Sequence, residues 1–490
     1  MKKQLAGILA LAMSLSMASC SSDTGSGEAA DETTTTAAAV KDETTAKADD
    51  GDTEASQDEE QETTVTEADD NYFEKALAML PDAELKRAHQ EVKVTVYDCE
   101  LPELAVRLFE EKYGGTVDVK TPSYEERNQY IASLYYNPDL YVSTSMINDF
   151  PKLVEEGKVL PIDDLIDFDS DIWSFAKDNK DYMELFNFGG KRFVAVTDVS
   201  ANGYACFYNK QTIEKHGLDD PWELYKAGNW NWDTMKSMLS GFADAEDLYY
   251  GLDGYWYYPR ALYYSTGVPT VGLSDGYLVS NLSNQTFLNT LEFGRELFNS
   301  GLLYPDQNNP KPELLGEGDL LFYISGLWEI YKAPEKWSMK VSADDIGIVP
   351  VPSPAGSAPY QSAVVSGFAL SSYSENPQGR ELFAQCLALA YSDPGLIAEN
   401  EQKQKEMYEE YGLSDRIISQ INEINELAKQ YPVIDYRYGG EDISWHTYYP
   451  DQDAFSGKAS SLFESEYATT FSGSVEDDNK KIRTYIESLG

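Results

Sequence analysis

The chain has 490 residues, more than one hydrophobic core usually serves, so two large domains are expected. Its formal charge of −46 excludes nucleic acid and anionic lipid as favourable partners. With 3 His, 4 Cys and no CxxC spacing, little is left for zinc, for His-based nucleophiles or for a disulfide framework, and no cofactor is expected.

Lys2 and Lys3 precede an apolar run from Leu5 to Met17, the pattern of a secretory signal over residues 1–19. That run is too short to span a bilayer as a mature helix. Met17-Ala18-Ser19-Cys20 resembles a bacterial lipobox, so Cys20 is read as the lipidated first residue of the mature chain. The alternative is a plain signal peptide with a chance cysteine. Residues 21–70 hold 17 acidic and 2 basic side chains and no aromatic one. Such a segment cannot bury enough apolar surface to offset its ordering entropy. Residues 20–70 are therefore read as the lipidated cysteine and a disordered, acidic, Thr-rich tether.

Order is expected from about Tyr72, with a short helical lead-in to Arg87. Val92 to Tyr97 alternates as a strand, Glu103 to Tyr113 reads as a helix stopped by Gly114–Gly115, and Thr116 to Lys120 as a second strand. This is a β-α-β unit, the start of a mainly parallel sheet. The first strand lacks GxGxxG at its end, and no Walker sequence occurs in the chain. Pro138–Asp139 turns into a short apolar strand ending near Ser143; a helix from Phe150 to Gly157 and the run Gly157 to Asp164 follow. Asp163–Asp164 reads as a helix cap rather than an acid–base pair. Asp167-x-Asp169-x-Asp171 fails as a calcium loop, because position six is Ile172 and position twelve is Asp178.

Arg192 to Lys210 holds two β-prone apolar runs around the small polar patch Ser200–Ala201–Asn202–Gly203, as suits a segment passing between domains. A helix from Gln211 ends at Gly217, and Trp232–Asp233 opens another, with the Trp packed. Tyr255, Trp256 and Tyr257 form a dense aromatic run with no core periodicity, so at least one is expected to face a ligand. Asn281 and Asn284 sit in glycosylation patterns but read as helix caps. Leu320 to Ile324 is an apolar strand, followed by Ser325-Gly326-Leu327-Trp328-Glu329. The proline-spaced run Ile346 to Gly356 stiffens an extended return, and Val364 to Leu370 re-enters the first domain as a strand. Beyond about Ile397 the chain is mostly helical, with 3–4 spacing over Ile417, Ile418, Ile421, Ile424 and Leu427. Residues 431–455 are irregular and aromatic, and Val475 to Leu489 reads as a terminal amphipathic helix.

Tyr208-Asn209-Lys210, Gly217-Leu218, Pro221, Pro138–Asp139, Gly157 to Asp164 and the Ile346–Gly356 run resemble extracellular solute-binding proteins, family one, the sugar-binding lipoproteins of ABC transporters, similar to maltose-binding-type proteins. The resemblance covers residues 90–395 well and the remainder loosely. It implies an α/β, periplasmic-binding-protein-like type II fold: two lobes with mainly parallel sheets joined by a hinge near Ser200–Gly203 and Ile348–Pro354. The first lobe would be residues 90–200 plus 354–396, and the second 204–348 plus 397–490.

By the same resemblance, Trp328 lies on the sugar face of the cleft. Loops at the carboxyl ends of strands bind ligands in open α/β sheets. The polar candidates are accordingly Asp98 and Glu100, Ser143 to Ser145, Asn202 and Glu329, with Trp445 as a further contact from the C-terminal loop. The implied protein is not an enzyme. It binds a carbohydrate, expected to be an oligosaccharide, in the cleft between the lobes and hands it to ABC permease subunits. It works as a monomer on the extracellular face of the cell membrane, touching the membrane only through its lipid. A peptide- or polyamine-binding protein of the same fold, a secreted glycoside hydrolase and a surface adhesin are the alternatives; the hydrolase needs two facing carboxylates, and no local motif supplies them.

Overall fold

The computed structural model describes residues 67–97, 99–122, 137–146, 150–201, 203–244, 246–254, 258–306, 309–436 and 466–489. A lead-in helix, α1 (Glu67–Met79), precedes the expected β-α-β unit of β1 (Glu91–Tyr97), α2 (Glu103–Tyr113) and β2 (Thr116–Lys120). Ala105, Leu108, Phe109 and Tyr113 recur at helical spacing and form the buried face of α2. The helix ends at Gly114, which is left-handed at φ 62°. Gly115 has no room for a side chain, because a Cβ would stand 2.1 Å from the Phe109 ring.

Next come β3 (Leu140–Ser143), α3 (Phe150–Glu155), β4 (Val159–Leu160), a small hairpin of β5 (Asn187–Phe188) and β6 (Lys191–Arg192), and β7 (Ala195–Ala201). The second lobe follows with β8 (Tyr204–Asn209), α4 (Trp232–Phe242), β9 (Tyr250–Gly254), α5 (Tyr258–Tyr264), the hairpin β10 (Val271–Ser274) and β11 (Tyr277–Ser280), α6 (Gln285–Asn299), β12 (Leu320–Gly326) and β13 (Ile346–Val349). The chain then returns as β14 (Gln361–Ser371), α7 (Pro377–Tyr391), α8 (Pro394–Glu410), α9 (Asp415–Gln430), β15 (Pro432–Val433) and α10 (Glu466–Ser488).

The first sheet has the order β15-β14-β3-β1-β2, with β4 and β7 also paired to β14. β2, β1 and β3 are parallel, while β14 runs antiparallel to β3, β4 and β7. β14 is buried along all 11 residues, so both of its faces are covered, and its sequence after Gln361 is continuously apolar or small. α7 and α2 cover one face together, with Phe109 and Phe383 edge-on at 5.4 Å. The second sheet has the order β13-β8-β12-β9. These are the two α/β lobes expected of the type II fold.

Several local expectations meet their partners here. Trp232 stacks on Phe293 at 4.4 Å, and Asn231 caps α4 by accepting from Thr234 N at 3.1 Å. Asn284 caps α6 through Thr286 N at 2.9 Å; Asn281 instead closes the base of the β10–β11 hairpin, donating to Pro269 O at 2.9 Å. Asp163 does not cap a helix. It accepts from Arg192 N at 2.9 Å and from Arg192 Nε at 2.7 Å. The reason is local: Ile162 N donates to Arg192 O at 2.8 Å, which brings the guanidinium beside the carboxylate.

The C-terminal region bonds to both lobes. On α9, Gln420 accepts from Ile348 N of the second sheet at 3.3 Å, and Arg416 donates to Ile346 O at 2.6 Å. At its other end, Lys429 lies 3.6 Å from Asp198 of β7, and Tyr182 donates to Lys429 O at 2.8 Å. Ile417, Ile421, Ile424 and Leu427 form the buried stripe that the 3–4 spacing predicts, while Ile418 is only partly covered. Beyond it, Asp435 is buried and accepts from Tyr264 OH at 3.1 Å, Thr270 N at 3.0 Å, Thr270 Oγ1 at 2.6 Å and Val271 N at 3.3 Å. Among the described residues no helix is long and apolar enough to cross a membrane, and no group of His, Cys, Asp and Glu could hold a metal ion.

Candidate functional site

The site grows from the first crossing between lobes. β7 ends at Ala201 and β8 begins at Tyr204, so the chain passes from one sheet to the other within the small polar patch. Gly203 takes a left-handed φ of 79°, which a side chain would strain. Its carbonyl accepts a hydrogen bond from Leu327 N. That bond fixes the turn Leu327–Glu329 at the carboxyl end of β12 directly against the crossing.

Trp328 sits in this turn and is half-buried. Its indole covers two glycines. A Cβ on Gly326 would fall 1.8 Å from the ring, and one on Gly203 would fall 3.5 Å from it. Tyr204 meets the same indole edge-on, with centroids 6.3 Å apart. The Ser-Gly-Leu-Trp sequence thus has a mechanical meaning: glycine at 326 clears the space into which the indole folds back. The result is an aromatic plate resting on the junction of the lobes.

Glu329 is buried at 7 % exposure. Its Oε2 accepts from Ser338 Oγ at 3.0 Å and Ser338 N at 3.3 Å, and Lys332 Nζ stands 3.4 Å away. That oxygen is committed within the second lobe.

Across the crossing, Ser143 ends β3 and lies opposite Tyr97 of β1 and Gly367 of β14. Its Oγ accepts from Ser145 N at 3.0 Å, and Ser366 Oγ donates to Thr144 O at 3.1 Å. Gly367 stands four residues along β14 from Ala363, the partner of Ala201, so Ser143 is set back about 13 Å along the strand direction from the crossing and lies on the other side of β14. Ser143 is buried, Ser145 partly covered, and Glu100 exposed beyond β1. Asp98, Asn202, Tyr255, Trp256, Tyr257, Trp445 and Cys20 lie outside the described residues. The structure therefore brings Trp328, Glu329, Ser143 and Ser145 to the two strand-end rims that flank the hinge, with Glu100 beyond the first.

Sequence reasoning missed several groups. Tyr204 is the edge-on neighbour of Trp328; its signal was its place immediately after the hinge glycine. Asp198 is buried in β7, and burial pushes its carboxyl up to about 6 against the opposing pull of Lys429. Asp253 is fully buried at the end of β9, where it accepts from Gly254 N at 2.8 Å and Lys311 N at 2.7 Å; burial pushes it up to about 6 as well. Arg260 is buried in α5.

The sign of these shifts makes a prediction. A carboxyl raised in the folded state binds its proton more tightly there than in the unfolded chain. Its contribution is fully present below the ordinary carboxylate range and is lost as pH rises through about 6. Glu155 on α3 is raised too, first by burial and then by Asp478. The melting temperature is expected to be highest near mildly acidic pH and to fall by several degrees towards pH 8. A thermal-unfolding series across that range checks it; a melting temperature climbing steadily with pH would overturn the burial argument.

Comparison with known proteins places this geometry. No curated protein sequence matches the chain. Among solved structures, a cyclic alpha-maltosyl-1,6-maltose binding protein from Arthrobacter globiformis aligns at 14% identity and TM-score 0.54, covering 81% of this chain and 99% of that one. An ABC substrate-binding protein from Listeria monocytogenes in complex with cycloalternan aligns at 15% identity and TM-score 0.51, covering 81% and 99%. An ABC transporter solute-binding protein from Thermotoga lettingae bound with alpha-D-tagatose aligns at 16% identity and TM-score 0.50, covering 80% and 100%. At these identities the likeness concerns the fold. The family described as bacterial extracellular solute-binding protein matches residues 100–390, the stretch that holds the whole second sheet, the first sheet apart from β1 and β15, and the Trp328 turn, and the chain belongs to that family.

Proposed function

We propose that this protein captures a carbohydrate between its lobes and delivers it to the permease of an ABC importer. The observation that carries this reading is the plate of Trp328 over Gly203 and Gly326, with Tyr204 at its edge. The apolar face of a sugar ring stacks on such a plate, and its hydroxyls need fixed donors and acceptors around it. Ser143, Ser145 and Glu100 on the first rim are the proposed polar partners among the described residues, with Asp98, Asn202, the 255–257 aromatic run and Trp445 completing the set. Proteins of similar fold are solved with cycloalternan and with alpha-D-tagatose, and another is a cyclic alpha-maltosyl-1,6-maltose binding protein, which supports a carbohydrate as the ligand class. Binding and release suffice for this role, with no bond made or broken. Export through the 1–19 signal and lipidation at Cys20 would hold the protein at the outer face of the cell membrane, on its acidic tether.

The strongly acidic balance of the chain favours a second reading, a polyamine or basic peptide as the ligand. Thermal unfolding of the mature protein against a panel of mono- and oligosaccharides, polyamines and peptides separates the two. A ligand at 100 times its Kd stabilises the folded state by about 2.7 kcal/mol. A shift with one glycan class supports the sugar reading. A shift confined to cations or peptides replaces it, and turnover of an oligosaccharide by pure protein would refute a binding-only role.

A further inference from the structure

Between α5 and α6 the second lobe sends out the β10–β11 hairpin, and the tip of this arm reaches the first lobe. Gly189 N, in the β5–β6 turn, donates to Gly276 O at 2.9 Å. The approach is close: a Cβ on Gly276 would stand 2.8 Å from Gly189 N, and Gly276 itself is left-handed at φ 76°. The C-terminal helix α10 then covers the arm. Asn479 brackets the edge of β11, accepting from Leu278 N at 2.9 Å and donating to Leu278 O at 2.8 Å. Arg483 lies over the Tyr277 ring at 4.5 Å.

The same helix holds the first lobe. Tyr485 donates to Val159 O and lies against Gly157, and Ile486 lies against Gly189. Lys481 stands 3.0 Å from Asp478 and 3.4 Å from Glu155 of α3. Ile482 and Val475 of the same helix are buried. One helix is therefore bonded to an arm of the second lobe and to the body of the first. Relative movement of the lobes must either carry the arm along or break the bonds of Asn479 and Gly276.

We propose that α10 is a strap that limits how far the two lobes can separate. The strap works through two attachments in series, Asn479 on the arm and the Lys481–Tyr485–Ile486 face on the first lobe. Releasing either one removes the tie that α10 makes between the lobes. The proposal concerns the two-lobed fold and is independent of which solute is bound.

The test is a distance measurement between spin labels on the two lobes, at Glu110→Cys and Ser237→Cys, in the full mature chain with Cys20→Ser and Cys99→Ser. Asn479→Ala cuts the arm attachment. Lys481→Glu sets a carboxylate against Glu155 and so opposes the first-lobe attachment without removing buried apolar surface. In each variant the distance distribution is expected to broaden and move to longer values, and the double variant is expected to move no further than either alone. Unchanged distributions in both single variants would overturn the strap, as would a double variant whose shift is the sum of the two. If Asn479→Ala loses cooperative unfolding, Lys481→Glu decides by itself: a longer mean distance supports the strap, and an unchanged one removes it.

Discussion

Trp328→Ala is expected to abolish solute binding at ordinary concentrations while leaving a folded protein. The indole is half-buried, and its inner face covers two glycines that lose nothing covalent when it goes. Truncating a central aromatic anchor costs about 2–4 kcal/mol of binding, roughly 30- to 1000-fold in Kd. The stability cost is smaller, because the outer face was already exposed. Trp328→Phe keeps a plate of reduced area and is expected to recover part of the affinity. Calorimetry with the glycan that shifts wild-type unfolding reads both. A Trp328→Ala protein that binds within about threefold of wild type would remove the indole from the site.

The second large effect is expected at Asp435→Ala. This carboxylate gathers four donors from Tyr264, Thr270 and Val271, all buried. Without it those donors lose their acceptor in a place poorly reached by water, at about 1–3 kcal/mol for each one left unmet. Partial relaxation reduces the sum, and a loss of about 3–5 kcal/mol is expected in denaturant unfolding. Asp435→Asn should recover much of the loss, because its carbonyl oxygen can keep the three bonds made to Oδ2 and only Val271 N then faces an amide donor. A loss below about 1 kcal/mol would mean that water replaces the carboxylate in full.

The lobes were readable from the chain because their signals are local. Alternation marks β1, the paired glycines after Tyr113 stop α2, and Asn284 stands where a cap belongs. The Gly326–Trp328 turn was readable by resemblance, and the structure adds why the glycine is needed. What escaped depends on distant pairing. Asp163 looked like a cap because Arg192, its true partner, enters only through the β-sheet neighbourhood. The C-terminal third read as belonging to one lobe, since helical spacing in α9 and α10 reveals a buried stripe but not against what it is buried. Asp198, Asp253 and Asp435 were invisible for the same reason: in a chain with 84 acidic residues, nothing local distinguishes the few that are enclosed.

The position of β14 governs the order in which this protein can be assembled. This strand joins β3, β4, β7 and β15, so the first sheet has no middle until it arrives. Ser366 and Thr144, bonded across that sheet, are separated by 222 residues. A chain emerging from its N-terminus has therefore made most of the second lobe before the first can close. Contacts so far apart in sequence form slowly and late. Until β14 is available, β1, β2 and β3 remain a three-strand fragment with an open edge, a state too poorly covered to be stable alone. Such a nascent chain stays threadable for most of its synthesis, which suits a polypeptide that must pass a membrane before it folds, and fragments ending before residue 361 should be recovered as aggregates rather than as a free first lobe.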